Sequence, residues 1–291
     1  MLKKFLLISI AWAGLSGAAI AQTEQVPAGY VMSVDLQGED AALKTAILRD
    51  GKELAPKLMM PLYEKDIIFL RDAKSKITID VDNGTEKEIS GRNARFEVSG
   101  EVATGDDAWS LIVAVAGVIG GGDESAIPDN MVTRGDGDEL KIPMAVRGPN
   151  FIVNGEPKLW LAWAGGKAPY KVIVDIDGRA KVTDKLQAQE FEFEAPLVDA
   201  KRFTVTVKDS GGRIAKVLMR YRNGLPDPPE SLKAKMGTGE AKDIIYASWL
   251  TSLHEGDWSI EAAQILRKRP KSDAAAKTLL ERIVQGWKYN N

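Results

Sequence analysis

Glutamate and phenylalanine alternate without a break from Glu190 to Glu194, and this period of two constrains the fold more than any other stretch of the chain. Successive side chains of a strand point to opposite faces of its sheet. The segment therefore predicts a half-buried antiparallel strand with its phenylalanines inward. Similar short strands, separated by turn pairs such as Asn154-Gly155 and Asp177-Gly178, extend from about residue 142 to 222. Together they predict a seven-strand sandwich.

A second run of short strands extends from about Tyr30 to Val98. Its clearest member is Lys76 to Val81, where isoleucine and valine recur at every second position and share one face. Asp50-Gly51 is a strong hairpin signal, and Asp82-Asn83-Gly84 predicts a further tight turn. Turns this frequent predict a small β-barrel or sandwich.

Between the two β regions, Trp109 to Gly122 is apolar and rich in alanine and glycine. It is too short to span a bilayer, which takes about 20 residues. One interpretation is a buried or interdomain helix that ends at its glycines. The other is a hydrophobic segment that docks on a partner or a membrane surface, with Trp109, Leu111 and Ile112 as candidate binding residues. The following residues, Asp123 to Gly137, are predicted to form a linker or long loop.

The period changes after three prolines, Pro226, Pro228 and Pro229, which predict a stiff connector. Apolar residues then recur at helical spacing, and Ser272 or Asp273 can cap the last helix directly after Pro270. The pattern predicts a small C-terminal helical unit. Its helices are expected at Ala241 to Leu253, Ser259 to Leu266 and Asp273 to Trp287.

The first 21 residues are typical of a cleavable signal peptide. Lys3 and Lys4 precede an uncharged apolar stretch, and Ala19-Ile20-Ala21 provides a small-x-small cleavage site. We therefore expect export to the periplasm, with no transmembrane segment left in the mature chain. The predicted divisions are a signal peptide (1–21), a first β domain (22–104), an apolar helix and linker (105–140), a sandwich (141–226) and a C-terminal helical region (227–291).

The amino-acid composition excludes several classes of function. The chain has no cysteine, which excludes a lipid anchor on cysteine, disulfides and thiolate chemistry. Removal of Lys3 and Lys4 moves the formal net charge from −2 to −4, with both signs mixed along the chain. A nucleic-acid binder would be expected to carry a basic face, so we expect no nucleic-acid partner.

Part of the first β region resembles the FecR-like domain, which is named for the periplasmic part of an iron-transport regulator. The matching stretches are Gly51 to Leu54, Pro61 to Ile68, Ser75 to Gly84 and Ala94 to Val98. The family usually has a Gly-Asp pair where this chain has Lys65-Asp66. The resemblance covers about a quarter of the chain and carries no catalytic residues.

The second β region resembles bacterial immunoglobulin-like domains, without the cysteine pair of antibody domains. The matching stretches are Trp163 to Val172, which contains the Gly-x-x-Pro-Tyr-x-Val pattern, and Phe203 to Gly212. The two resemblances imply adhesive, sensory or scaffolding modules. The predicted fold class is therefore mainly β, with a small FecR-like β domain, an immunoglobulin-like β-sandwich and a short C-terminal helical unit.

The residues needed for common catalytic sites are scarce. His254 is the only histidine, and the chain has no Gly-x-Ser-x-Gly elbow for a serine triad. A zinc site would need further nitrogen or sulfur ligands. His254 is better explained as a polar residue of a turn between helices. We predict no catalytic residue, no metal site and no cofactor.

Carboxylates leave one enzymatic alternative open, since paired carboxylates can hydrolyse glycosides. Asp80/Asp82 and Asp175/Asp177 lie where strands end in turns, which is the usual position of aspartate. Either pair could also open a calcium loop, but neither is followed by the glutamate that such a loop needs at its last position. A catalytic role is least excluded for Asp136, Asp138 and Glu139, although a solvated linker explains these carboxylates better.

Trp160 and Trp163 are the remaining candidate binding residues. They fall on opposite faces of one strand, so one is expected in the core and the other could stack on a sugar or a partner. Core packing of both is the alternative. The leading prediction is a periplasmic, non-enzymatic binding or assembly protein of the cell envelope that acts on envelope proteins. The alternatives are a carbohydrate- or peptidoglycan-binding protein and, less favoured, a carboxylate hydrolase.

Overall fold

A computed structural model describes residues 27–37, 45–81, 85–99, 107–120, 139–195, 201–237 and 239–289. The architecture is mainly β with a C-terminal helical cluster, as the sequence predicts. The predicted signal peptide, the turn Asp82-Asn83-Gly84 and the predicted linker Asp123 to Gly137 lie outside the described residues. None of the helices in the described ranges has both the length and the apolar character needed to cross a bilayer.

The first β unit consists of two four-stranded sheets. One has the strand order β4-β1-β6-β7 and the other the order β3-β2-β5-β8, and every strand pair in them is antiparallel. The predicted hairpin at Asp50-Gly51 is present, with φ angles of 48° and 77° at the two residues. The strands are Gly29–Asp35 (β1), Thr45–Arg49 (β2), Lys52–Leu54 (β3), Pro61–Leu62 (β4), Ile67–Leu70 (β5), Lys76–Val81 (β6), Thr85–Ser90 (β7) and Ala94–Glu97 (β8).

The second β unit is a sandwich of seven strands within the described residues. Five strands form one sheet in the order β12-β11-β14-β15-β9, and β10 pairs with β13 in the other. Aromatic contacts join the two sheets, since the rings of Phe193 and Phe203 lie 6.4 Å apart and those of Trp163 and Tyr170 lie 5.3 Å apart. The strands are Pro149–Val153 (β9), Lys158–Ala162 (β10), Tyr170–Ile176 (β11), Arg179–Leu186 (β12), Glu190–Glu194 (β13), Arg202–Lys208 (β14) and Ile214–Arg222 (β15).

Five α-helices complete the described part of the chain. The predicted N-cap of the last helix is confirmed, because the Asp273 side chain accepts a hydrogen bond from the Ala276 N–H at 2.9 Å. The structure adds one short helix, Glu230–Met236, that the sequence analysis did not predict; it begins directly after Pro229, where a proline is compatible with a helix start. The helices are Asp107–Gly120 (α1), Glu230–Met236 (α2), Ala241–Ser252 (α3), Ser259–Arg267 (α4) and Ala274–Val284 (α5).

Helix α1 lies in the core that joins the first β unit to the C-terminal helices. It packs against α2, α3 and α5. The Trp109 ring meets the Tyr30 ring of β1 edge-on, with a centroid distance of 4.9 Å. The Lys235 ammonium nitrogen of α2 lies 5.5 Å from the Trp109 ring centroid. The segment is therefore helical to Gly120, and Trp109, Leu111 and Ile112 are buried in this core.

Candidate functional site

The structure places all five candidate binding residues at buried positions. Trp109, Leu111 and Ile112 are 4%, 2% and 0% exposed within the core around α1. Trp160 and Trp163 are 5% and 2% exposed, so neither tryptophan stands free on the sandwich surface. Trp160 and Trp163 line a surface cleft.

The cleft lies where the β10–β13 sheet meets helices α4 and α5. Its volume is about 370 Å³, within the usual range for ligand-binding pockets. Apolar side chains form most of its wall, and charged side chains lie among them. The lining residues are Trp160, Ala162, Trp163, Gln189, Glu190, Arg267, Leu280, Glu281 and Val284.

Two buried polar side chains of α4 fix the helix against the sandwich at this cleft. The Gln264 side chain accepts a hydrogen bond from the Trp160 N–H at 3.0 Å and donates one to the Trp160 carbonyl at 2.8 Å. The Glu261 carboxylate accepts the Val153 N–H at 2.9 Å. The backbone adds a fourth bond, from the Phe151 N–H to the Asp257 carbonyl at 2.7 Å. The relative position of the sheet and the helices is therefore set by direct bonds.

Trp160 and Arg267 form the charged end of the cleft. The guanidinium carbon of Arg267 lies 4.5 Å from the centroid of the Trp160 ring, which is a cation–π geometry. The indole N–H of Trp160 donates to Glu190 at 3.1 Å. Arg267 also lies 3.8 Å from carboxylate oxygens of Glu190 and of Glu192. These two contacts are ion pairs at a distance longer than a hydrogen bond.

Trp163 and Gln189 form the opposite end. The Gln189 amide donates to the Gly165 carbonyl at 3.0 Å and to the Tyr170 hydroxyl at 3.2 Å. The Trp163 ring packs edge-on against Tyr170. Its indole nitrogen is buried and has no hydrogen-bond partner among the described residues.

Helix α5 supplies the remaining wall. Leu280 and Val284 are one turn apart on the helix and both half-buried, so they present an apolar face to the cleft. Glu281 is exposed beside them. Its carboxylate forms no ion pair with any residue in the described ranges, whereas Glu190 and Glu192 both contact Arg267.

A close approach of two chain segments explains Gly165 and Gly166 beside the cleft. Lys141 and Ala164 form a bridge with hydrogen bonds of 3.0 and 2.8 Å between their backbones. Gly165 and Gly166 both have a positive φ, and a Cβ on Gly165 would overlap the Glu139 carbonyl oxygen. The Gly-Gly-Lys sequence at this point is therefore a packing turn.

His254 lies in the 3-10 turn Leu253–Glu255 between α3 and α4, the kind of position that the sequence predicts. Its Nδ1 atom is 3.6 Å from a carboxylate oxygen of Asp257, and its side chain is 79% exposed. Burial raises the pKa of Asp257, although His254 and Arg222 act in the opposite direction. The pair lies in the helix turn and does not line the cleft.

The described members of the predicted carboxylate sets, Asp80, Asp175, Asp177 and Glu139, do not line the cleft, and Asp82 lies outside the described residues. Asp80 is 2% exposed within β6. Asp175 accepts the Gly178 N–H at 2.9 Å and so stabilises its own turn. Asp136 and Asp138 lie outside the described residues, and Glu139 is exposed. In the ranges that the structure describes, no group of three or more histidine and acidic side chains could hold a metal ion.

Sequence reasoning did not identify Arg267, Gln264 or Glu281 as parts of a site. Arg267 belongs to the run Arg-Lys-Arg-Pro at the end of a predicted helix, which is usually a solvated helix end. The alternation from Glu190 to Glu194 did contain a signal, because it places three carboxylates on one face of a strand. Nothing local indicated which cation would meet them.

No protein-family model matches this chain, and no curated protein matches it significantly in sequence.

Proposed function

We propose that this protein is a non-enzymatic binding or assembly protein of the periplasm that acts through contacts with another envelope protein. The cleft between the β10–β13 sheet and helices α4 and α5 carries the proposal. It has an apolar wall, a few charged groups and a rigid frame that Gln264 and Glu261 bond together. A preformed site loses little conformational freedom when a partner binds.

A protein partner is favoured over a glycan because of how the tryptophans are covered. A sugar ring that stacks on tryptophan needs an open ring face. The Arg267 guanidinium lies over the Trp160 ring, and Trp163 is 2% exposed. The open wall of the cleft is instead aliphatic, formed by the half-buried Leu280 and Val284. Aliphatic walls flanked by charges suit protein side chains.

The engagement of two polar groups of the lining, Glu190 and Gln189, supports a binding role over a catalytic one, whereas Glu281 has no ion pair among the described residues. A general acid or base must be within reach of its substrate and free to exchange a proton. Glu190 accepts a hydrogen bond from Trp160 and is paired with Arg267. Gln189 is held by Gly165 and Tyr170. The periplasmic location in this proposal rests on the predicted signal peptide and not on the cleft.

Photocrosslinking in intact cells tests the proposal. A photoreactive amino acid is placed at Glu281, which borders the cleft, and in a control strain at Ile214, which is 60% exposed on the sandwich away from the cleft lining. We expect one discrete adduct that forms from position 281, is digested by protease and is identified by mass spectrometry as a periplasmic protein. The same adduct should be absent from position 214.

Three other outcomes contradict the proposal. An adduct that resists protease and disappears after peptidoglycan digestion would support the carbohydrate-binding alternative instead. Release of soluble fragments from isolated cell-wall sacculi by the purified protein would establish a hydrolase. Absence of any adduct specific to position 281 would remove the cleft as the binding site.

A further inference from the structure

The charges of the cleft are unbalanced at one point, the carboxylate of Glu281. Arg267, the cation of the cleft lining, already contacts two carboxylates, those of Glu190 and Glu192. Glu281 lies on the helix wall and forms no ion pair with the described residues around it. A ligand that brings a carboxylate would add a further negative charge to a lining that already holds Glu190 and Glu281 against Arg267. A ligand that brings a cation would meet an unpaired opposite charge.

The surface next to Glu281 suits the stem of a long cationic side chain. Leu280 and Val284 flank it on the same helix and are half-buried, so each presents apolar surface without being sealed in the core. Lysine and arginine lay their methylene chains along apolar surface while their charged heads stay in contact with water or a partner. The volume of about 370 Å³ has room for such a side chain and for the backbone that carries it.

We propose that the cleft binds an extended segment of the partner protein through a lysine or arginine side chain, whose stem packs on Leu280 and Val284 and whose cationic head pairs with Glu281. This inference rests on the proposed function and adds the chemistry of the partner. Arg267 on Trp160 is an internal example of the same recognition, since a cation there is held between an apolar ring and carboxylates.

Selection from a random peptide library displayed on phage tests the inference with the purified full-length protein. We expect the selected peptides to be enriched in lysine or arginine next to aliphatic residues. The best peptide is then synthesised in three forms, with its basic residue kept, replaced by norleucine or replaced by glutamate. The expected order of affinity is basic, then norleucine, then glutamate, and the affinity of the basic form should fall as salt is raised.

Charge reversal on the protein provides the matched control. Glu281→Lys should weaken the basic peptide about tenfold or more, because the contact changes from attractive to repulsive. Glu64→Lys makes the same change of net charge at an exposed position of the first β unit and should leave the affinity unchanged. Both side chains are exposed, so both variants should unfold at the wild-type temperature, which a thermal scan checks.

Failure of this inference can be separated from failure of the proposed function. If the selected peptides lack basic residues, or if Glu281→Lys binds them as tightly as the wild type, the cationic segment is wrong. If a protein adduct still forms at position 281 in cells, the binding function itself stands. If basic peptides bind in solution but no adduct forms in cells, the proposed function fails and the chemistry of the cleft does not.

Discussion

The side-chain amide of Gln264 forms hydrogen bonds with both backbone groups of Trp160, a residue 104 positions earlier in the chain. Strand β10 pairs with β13 on one side only, so its other edge would present unpaired N–H and C=O groups. An amide side chain has the same donor and acceptor as a neighbouring strand. Gln264 thus covers this edge at Trp160 and joins helix α4 to the sandwich at the wall of the cleft.

Replacing Gln264 with leucine should destabilise the protein by roughly 2–4 kcal/mol. The variant keeps the size of the side chain but leaves the buried Trp160 N–H and carbonyl without partners, each at a cost of about 1–3 kcal/mol. Chemical denaturation monitored by tryptophan fluorescence measures the change. Gln285→Leu, at an exposed position after α5, is the control and should change the stability by less than about 0.5 kcal/mol. Equal stability of the two variants would show that the amide has no joining role.

Much of the β structure could be predicted from the sequence because its turns and strands are specified by neighbouring residues. Asp50-Gly51 and Asp177-Gly178 are turn pairs whose residues accept positive φ, and all four have φ angles between 48° and 83°. The alternation in Glu190 to Glu194 likewise encodes which face is buried. These signals lie within a few residues of the structure that they predict. Strand existence, turn positions and the helical character of the C-terminus could therefore be predicted.

The candidate site depends on contacts that no local pattern contains. The alternation at Glu190 predicts an exposed carboxylate, but its partners Trp160 and Arg267 come from another strand and from a helix. The period-two rule predicts that Trp160 and Trp163 lie on opposite faces of one strand, whereas β10 ends at Ala162 and both tryptophans are buried and line the cleft. The rule carries no information that α4 and α5 cover the sheet, and the covering residues were therefore missed.

Lys65→Gly should stabilise the protein by about 0.5–1 kcal/mol. Lys65 has a φ of 71°, which costs a residue with a Cβ about 1–2 kcal/mol, while glycine adopts it freely. The added flexibility of the unfolded chain offsets part of the gain. The Lys65 N–H donates to the Val98 carbonyl at 2.9 Å, and this bond is kept. In the resemblance predicted from the sequence, this is the position where FecR-like domains usually have glycine.

The matched control for Lys65→Gly is Lys57→Gly. Lys57 is also exposed, and its φ is not in the positive range. With no strain to relieve, the added glycine should lower the stability by about 0.5–1 kcal/mol. Denaturation midpoints that move in the same direction for both variants would contradict the role of backbone strain at Lys65.

Gly165→Ala should destabilise the protein more than Gly178→Ala, although both glycines have a positive φ. A Cβ at Gly178 meets nothing within 4 Å, so only the backbone conformation costs energy, roughly 1–2 kcal/mol. A Cβ at Gly165 would also overlap the Glu139 carbonyl oxygen and must displace backbone. Hydrogen exchange checks the location of the damage. The amides of Lys141 and Ala164 should exchange faster in Gly165→Ala only, and unchanged protection there would refute the packing argument.

Glu261→Gln should stabilise the protein near neutral pH, and the gain should shrink as the pH falls. Glu261 is 2% exposed, and burial raises the pKa of its carboxyl above the ordinary value of 4.5, although the Val153 N–H and Lys268 lower it. The folded protein therefore holds this proton more tightly than the unfolded chain. The stabilisation that comes from this tighter proton binding is fully present below pH 4.5 and is lost as the pH rises through the folded-state pKa of Glu261.

Glutamine keeps an oxygen that can accept the Val153 N–H and removes the buried charge, so the variant escapes that loss. Free energies of unfolding measured from pH 4 to pH 8 should diverge between the two proteins as the pH increases. Glu64→Gln removes an exposed charge, and its free energy of unfolding should change with pH in the same way as that of the wild type. A Glu261→Gln protein that is less stable than the wild type at pH 8 would show that the ionised carboxylate, and not its burial cost, dominates at the joint between α4 and the sandwich.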